Sequence, residues 1–466
     1  MSISLKQQRV PVGRDKPLKL GIGISPSLLP IALLVMLYSC QIWRDIAGIT
    51  IRSEDLLIIA LLFNMLLPTF LKLKLRYRPS LLNGPILVWM SVIAFSVLLT
   101  IAQPFDSVTK KDALVNGIRV MLAFSTFFIM YNHPASARAK IKAILKTTIW
   151  FSFITTVVSV LQIGYWDGWL PLSLPAVLIE KAAGANMQKG REIFALFIGD
   201  TGAHMWSGML AFQALTVFLY AQVLRNPAKR WFWYSYFGLL TLILLRTAVR
   251  NSILGLFVGI VSHSLLKSRH LVNRVLKLTL LAIVVVALVL AAMYLKPNNY
   301  FIQRALAIVP QISGGQIVIS GASSIYGRFY FINIALRLFR QNPLTGHGFY
   351  SYQALSTLYS ANRIPHAHNS YLQILSELGL VGAVFFGWLA SRISKFLRYL
   401  WSRKPCDVVI ALGINLLASG VISVGFTALF SNLFWDPRRM GFLALLLGAL
   451  ASYRREIYLE EVHNDG

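Results

Sequence analysis

Long apolar runs, each close to the roughly 17–25 residues that cross a bilayer as a helix, follow one another along almost the whole chain. Read in order, they predict twelve spans at 21–43, 56–71, 81–102, 113–131, 147–166, 203–223, 231–246, 251–266, 278–295, 371–391, 408–430 and 440–453. The polar stretches between them alternate in character. Those at 1–20, 72–78, 132–146, 224–230, 267–277, 391–407 and 452–466 hold more than half of the 45 Lys and Arg residues. Short basic connections stay in the cytoplasm, so both termini are expected there. The chain then divides into a basic tail (1–20), nine spans (21–295) with an outer loop at 167–202, a large outer loop (296–370), three more spans (371–453) and a second tail (454–466).

Composition agrees with that pattern. The chain is 56% hydrophobic and 13% charged, whereas soluble domains carry about 25% charged residues. An all-α polytopic membrane protein built as one helical bundle is therefore expected, without a soluble domain. A net charge of +28 would point to nucleic acid in a soluble protein. Here much of it is orientation signal, and lipids rather than nucleic acid are the expected surroundings. Cys40 and Cys406 fall at opposite faces in this topology, so no disulfide is implied. The basic N-terminus lacks a small-residue cleavage site and reads as an uncleaved tail.

Charge also marks where chemistry could lie. From Lys296 to Ser370 there is no Asp or Glu, yet the segment holds Lys296, Arg304, Arg328, Arg337, Arg340, Arg363, His347, His366 and His368. An acid-free basic loop suits an anion, and Arg binds phosphate in planar, bidentate geometry; lipid headgroups are the plainer use for Arg304, Arg337 and Arg340. Within the loop, Phe329, Ile332, Leu336 and Phe339 recur at helical spacing, so 328–340 is expected to lie as an amphipathic helix along the outer interface. Arg328 falls in a Gly-punctuated turn at the start of that helix. "NPLTGHGFYSY" after it is turn-forming.

A second basic site is "LLRTAVRNSILGLF", where Arg246 and Arg250 sit between two spans. Charges there usually face a cavity or a partner, and Arg250 at a helix N-terminus adds free backbone N–H groups for an anion. Snorkelling to the interface is the alternative. "HAHNSYLQILSELGLVG" (366–382) follows the basic loop. Ser370-x-x-Gln373 reads as a capping box, which puts His368 just before a helix N-terminus. The macrodipole there disfavours imidazolium, and a neutral imidazole is what a general base needs. His347, His366 and His368 could supply three nitrogens to zinc, but a second-shell carboxylate is missing, and magnesium would want acidic ligands. No metal and no cofactor are expected. Glu180, Glu192, Asp200, His204 and the Asp436, Arg438, Arg439 turn are left either to line a sugar-binding cleft or to cap helices.

These segments resemble a known family. "HNSYLQILSELGLVG", with His368 and Asn369 opening and Gly379 and Gly382 closing, is similar to the signature of the O-antigen ligase and O-antigen polymerase superfamily. "GRFYFINIALRLFRQNPLTGHGF" resembles the stretch that precedes that signature, and "LLRTAVRNSILGLFVGI" the Arg-bearing span start, although relatives often have Ser-Arg-Gly where this chain has Thr-Ala-Val-Arg-Asn. The likeness is specific over 240–390 and architectural elsewhere. It implies a C-type glycosyltransferase-like fold with the large outer loop between spans nine and ten. It also implies an inverting, metal-independent enzyme of the bacterial inner membrane, with its site facing the periplasm. The donor would be an undecaprenyl-diphosphate-linked glycan and the acceptor a glycan or lipid A core, with a chain-length regulator as a further partner. By the same likeness His368 is the base and Arg250 and Arg328 bind the diphosphate, with Arg246, Asn369, Arg363 and His366 in support. Polymerisation of O-antigen, capsule or exopolysaccharide repeat units is the leading expectation, ahead of ligation to lipid A core or protein. A flippase of lipid-linked sugars is the rival from another class, disfavoured by the lack of repeat symmetry.

Overall fold

The computed structural model describes residues 25–39, 43–46, 49–72, 80–166, 203–247, 249–267, 311–313, 316–318, 322–360, 363–403, 405 and 407–464. Its helices are α1 (Leu29–Ser39), α2 (Ser53–Lys72), α3 (Asn83–Ala102), α4 (Ser107–Asn132), α5 (Ala137–Trp166), α6 (Ala203–Val223), α7 (Pro227–Arg246), α8 (Arg250–Lys267), α9 (Ala322–Gln341), α10 (Tyr352–Leu355), α11 (Ser370–Ser402), α12 (Val408–Thr427) and α13 (Pro437–Asn464). Two short antiparallel pairs accompany them: β1 (Trp43–Ile46) with β2 (Ile49–Arg52), and β3 (Gln311–Ser313) with β4 (Gln316–Val318). Among the described residues, five helices are long and apolar enough to cross a membrane, namely α3, α4, α5, α11 and α12, and those around Pro26–Tyr38, Ser207–Val223 and Arg250–Leu266 are shorter. The span expected at 278–295 and the loop at 167–202 lie outside the described residues.

Contacts at the helix ends define two poles. At one, Ser370 N donates to Ala428 O (2.8 Å), Phe349 N to Ser96 O (3.1 Å) and Asn251 Nδ2 to Phe430 O (3.3 Å), and Arg438 pairs with Glu54 at 3.0 Å. At the other, Ala137 N donates to Glu456 Oε1 (2.8 Å), Lys140 Nζ to Ser452 Oγ (2.8 Å), and Arg403 pairs with Glu461 at 2.8 Å. The helices α2, α4, α6, α8, α11 and α13 start at the first pole, and α3, α7 and α12 end there. Neighbouring spanning helices thus run in opposite directions from α2 to α8 and again from α11 to α13.

Several helices overrun the predicted spans, at ends rich in charged residues. α5 begins ten residues before 147 and takes in most of the connection 132–146; α11 runs to Ser402 rather than 391; α13 continues through the tail to Asn464. Hydropathy reports the depth of a residue in the bilayer. A helix end is set instead by caps and packing, and Ala, Lys, Arg and Leu all propagate helices well. The overrunning turns are also held by tertiary bonds: Lys140 is buried against α13, and Arg138 pairs with the α12 N-cap Asp407 at 2.5 Å.

α11 is not one continuous helix. Gly379 has φ 65°, a left-handed value that breaks it. Carbonyls of Ser376 and Glu377, which a regular helix would bond to N–H groups four residues on, accept instead from His347 N (3.1 Å) and Gly348 N (2.9 Å). The N–H groups they leave behind, on Leu380 and Val381, donate to Pro343 O (2.8 Å) and Leu344 O (3.1 Å). The turn 343–348 is thus inserted into the broken helix and satisfies all four groups, the condition for irregular backbone at membrane depth. Gly346 (φ 66°) lies so close to the Glu377 backbone that a Cβ would collide with it.

Candidate functional site

The signature segment lies at the first pole, where α11 begins. His368 is half-buried and has φ 54°, unusual for a residue with a side chain; its ring stacks on Phe331 of α9 (5.5 Å between centroids, 22° between planes) and neighbours His366 (4.3 Å). The N-cap of α11 is Asn369, whose Oδ1 accepts from Tyr371 N and Leu372 N, both at 3.0 Å. This replaces the expected capping box. Ser370 instead serves a tertiary contact, donating to Ser431 O (2.7 Å) and accepting from Leu433 N (2.8 Å). Gln373 reaches past the cap and accepts from Ala367 N at 3.1 Å. His368 therefore does precede the helix N-terminus, held there by Asn369 and Gln373.

α9 begins six residues before Arg328, so Arg328 is a helical residue and not part of a starting turn. It is half-buried and lies one helical turn ahead of Phe331, the ring under His368. Gly327 is compatible with this because tertiary packing outweighs its weak helix propensity. Arg246 ends α7 and Arg250 opens α8, both half-buried. Next to Arg250, Asn251 bonds to Phe430 in the same α12–α13 connection that receives Ser370. The chain beside Arg250 and the chain just after His368 therefore meet the same connection at one pole.

The acid-free loop is not acid-free in space. Arg363 pairs with Asp106, the N-cap of α4. Bonds from the Thr109 side chain and amide, with Arg363 added, push the Asp106 carboxyl down to about 2. Arg337 lies over the Tyr359 ring at 5.7 Å. His347 bonds to Leu338 O through Nε2 (2.9 Å), which ties it to α9. Among the described residues, no three His, Cys, Asp or Glu side chains cluster as a metal set would require.

The turn at 436–439 caps and braces. Asp436 Oδ1 accepts from Arg438 N at 3.1 Å and its carboxylate pairs with Arg439 at 3.0 Å, while Arg438 joins Glu54 in a pair with both side chains 3% exposed. Arg439 also lines a small pocket of about 20 Å³ with Asn251, Ser252, Ser423 and Thr427, beside Arg250. A larger apolar cavity of about 220 Å³ lies deeper, between Ile86, Phe124, Tyr371, Phe386, Leu417 and Met440. Tyr371 places it directly below the α11 cap.

Sequence reading missed Glu377, Phe331 and Tyr352, and took Gln373 only for a capping residue. For Glu377 a signal was present: it is the one acid of α11, and an ionisable residue inside an apolar helix is a functional candidate by default. Phe331 and Tyr352 carried none, since aromatic residues are common in any outer loop.

Fold and site together define a helical integral membrane protein with a polar centre at one pole of its bundle. Residues 235–387 match the O-antigen ligase family model, a segment that holds every candidate residue from Arg246 to Asn369. The match supports the O-antigen ligase and polymerase superfamily, whose members are glycosyltransferase-like enzymes of polysaccharide biosynthesis. No curated protein matches the chain.

Proposed function

We propose that this protein is a glycosyltransferase of the bacterial inner membrane, with its site at the outer face and both termini in the cytoplasm. It transfers an undecaprenyl-diphosphate-linked glycan to an acceptor hydroxyl. The carrying observation is His368, presented before a capped helix start on the Phe331 ring, one turn from Arg328. His368 takes the proton of the acceptor hydroxyl as that oxygen attacks the anomeric carbon from the face opposite the diphosphate. The bond from the anomeric carbon to the phosphate oxygen breaks and its electron pair leaves with the diphosphate, so the configuration inverts. Arg250 and Arg328 are fixed cations for the charge that develops there. The deep apolar cavity suits a short stretch of the donor's hydrocarbon chain, and apolar walls limit hydrolysis. The reaction as written needs no metal.

Polymerisation of repeat units is the preferred reaction. Ligation onto lipid A core is the second reading, favoured by the description of the matched family. In a deletion strain, single repeats on core indicate a lost polymerase, and full polymer left on the lipid carrier indicates a lost ligase. The central test uses purified protein in liposomes with donor and acceptor supplied. His368→Ala is expected to lower transfer by about 10²–10⁴-fold, the usual contribution of a general base, and EDTA to leave the parent rate unchanged. Undiminished transfer by the variant removes His368 from the chemistry; loss in EDTA overturns metal independence.

A further inference from the structure

Glu377 lies in the broken turn of α11 with none of its surface exposed. Its Oε1 accepts from Gln373 Nε2 at 2.8 Å and from Tyr352 N at 3.4 Å. Each donor leads on to the same place. Gln373 Oε1 holds Ala367 N at 3.1 Å, the amide just before His368. Tyr352 is fully buried, and its hydroxyl donates to Phe331 O at 2.9 Å, on the residue whose ring supports the imidazole. One arm therefore sets the backbone of His368 and the other sets the surface its ring rests on. The backbone of Glu377 adds a third tie, since its carbonyl accepts from Gly348 N (2.9 Å) and from Ser96 Oγ (3.4 Å).

We propose that Glu377 is a positioning residue that fixes the His368 imidazole through two converging arms, Gln373–Ala367 and Tyr352–Phe331. The role rests on the reading of His368 as the base. His368 needs such a frame because its φ of 54° is a conformation that persists only where the surroundings over-determine it. Misplacement of a catalytic group by about 1 Å can cost on the order of 10²-fold in rate, so a hub two bonds away has leverage without touching substrate. Uncompensated burial of a carboxyl is costly, and both donors of Oε1 belong to the arms.

The test is a set of variants in the liposome assay: Glu377→Ala, Glu377→Gln, Tyr352→Phe, His368→Ala and the double variant Glu377→Ala/His368→Ala. Glu377→Ala is expected to lower kcat by about 10²-fold while the donor KM stays within about twofold, the pattern of a lost transition-state interaction. Glu377→Gln keeps an acceptor oxygen for both arms and is expected to recover most of that loss. Tyr352→Phe deletes a single oxygen, so it tests one arm even if Glu377→Ala fails to fold; a several-fold fall in kcat at normal protein level is expected. The double variant is expected to match His368→Ala, because residues acting as a unit are not additive. Multiplicative losses in the double variant, a Gln variant as impaired as the Ala one, or full activity of Tyr352→Phe each overturn the positioning role while leaving His368 as the base. Full activity of His368→Ala overturns the base assignment and this proposal together.

Discussion

A left-handed histidine, a capping asparagine and a carboxylate from a distant helix set the local character of the site. Asp106 holds Arg363, which lies five residues before His368, so it tethers the approach to the site as well as capping α4. Folding lowers the Asp106 carboxyl from its ordinary value to about 2. A depressed carboxylate stabilises above its unfolded pKa, near 3.9, and that contribution is lost as pH falls through about 2. The tether should therefore be insensitive to pH between 5 and 8. Asp106→Asn is expected to speed tryptic cleavage after Arg363 at neutral pH, and amide exchange over 363–369 in the parent should not change between pH 7 and 5 once intrinsic rates are corrected. Arg328 makes a different demand. Arg328→Ala is expected to raise the donor KM and lower kcat in the liposome assay, whereas a purely structural arginine would lower protein level alone.

At the scale of the element, α11 does two jobs separated by Gly379. Its first turns carry the His368 frame, and its later turns form a membrane helix. The break lets the 343–348 turn donate to and accept from the exposed backbone groups, which links α9 to α11 at the depth of Glu377. An alanine at 379 would face both a backbone conformation essentially reserved for glycine, costing roughly 1–3 kcal/mol, and a collision with Leu344 O. Gly379→Ala is expected to lower the thermal midpoint by several degrees and reduce transfer. Gly387 lies further along the same helix, with open space where a Cβ would stand; Gly387→Ala should be tolerated in both measurements. The signature's Gly-x-x-Gly was visible in sequence, but its meaning was not. A glycine in an apolar run reads as a packing site until the partner turn is seen to fill the gap.

For the whole molecule, the two poles imply that residues at each are reached from opposite sides of the membrane. Leu358 and Leu459 are both exposed and belong to different poles. In a background with Cys40 and Cys406 replaced, Leu358→Cys should react with an impermeant thiol reagent added outside intact cells, and Leu459→Cys only after permeabilisation. The same labelling from both sides would refute the orientation.

Apolar runs, the charges between them and the His-Asn…Gly-x-x-Gly segment are properties of neighbouring residues, so the helical membrane character and the family likeness could be read from sequence. Helix ends could not, because Lys and Ala carry helices past the apolar boundary wherever packing accepts them. Nor could the pairing of Arg363 with Asp106, which are 257 positions apart, or the bonds that tie Gln373 to Ala367 and Tyr352 to Phe331, whose ring stacks on His368. Such contacts depend on which helices the fold places side by side. A chain with no acid between 296 and 370 acquires its carboxylates from α4 and α11, and the frame around His368 exists only once those helices are packed.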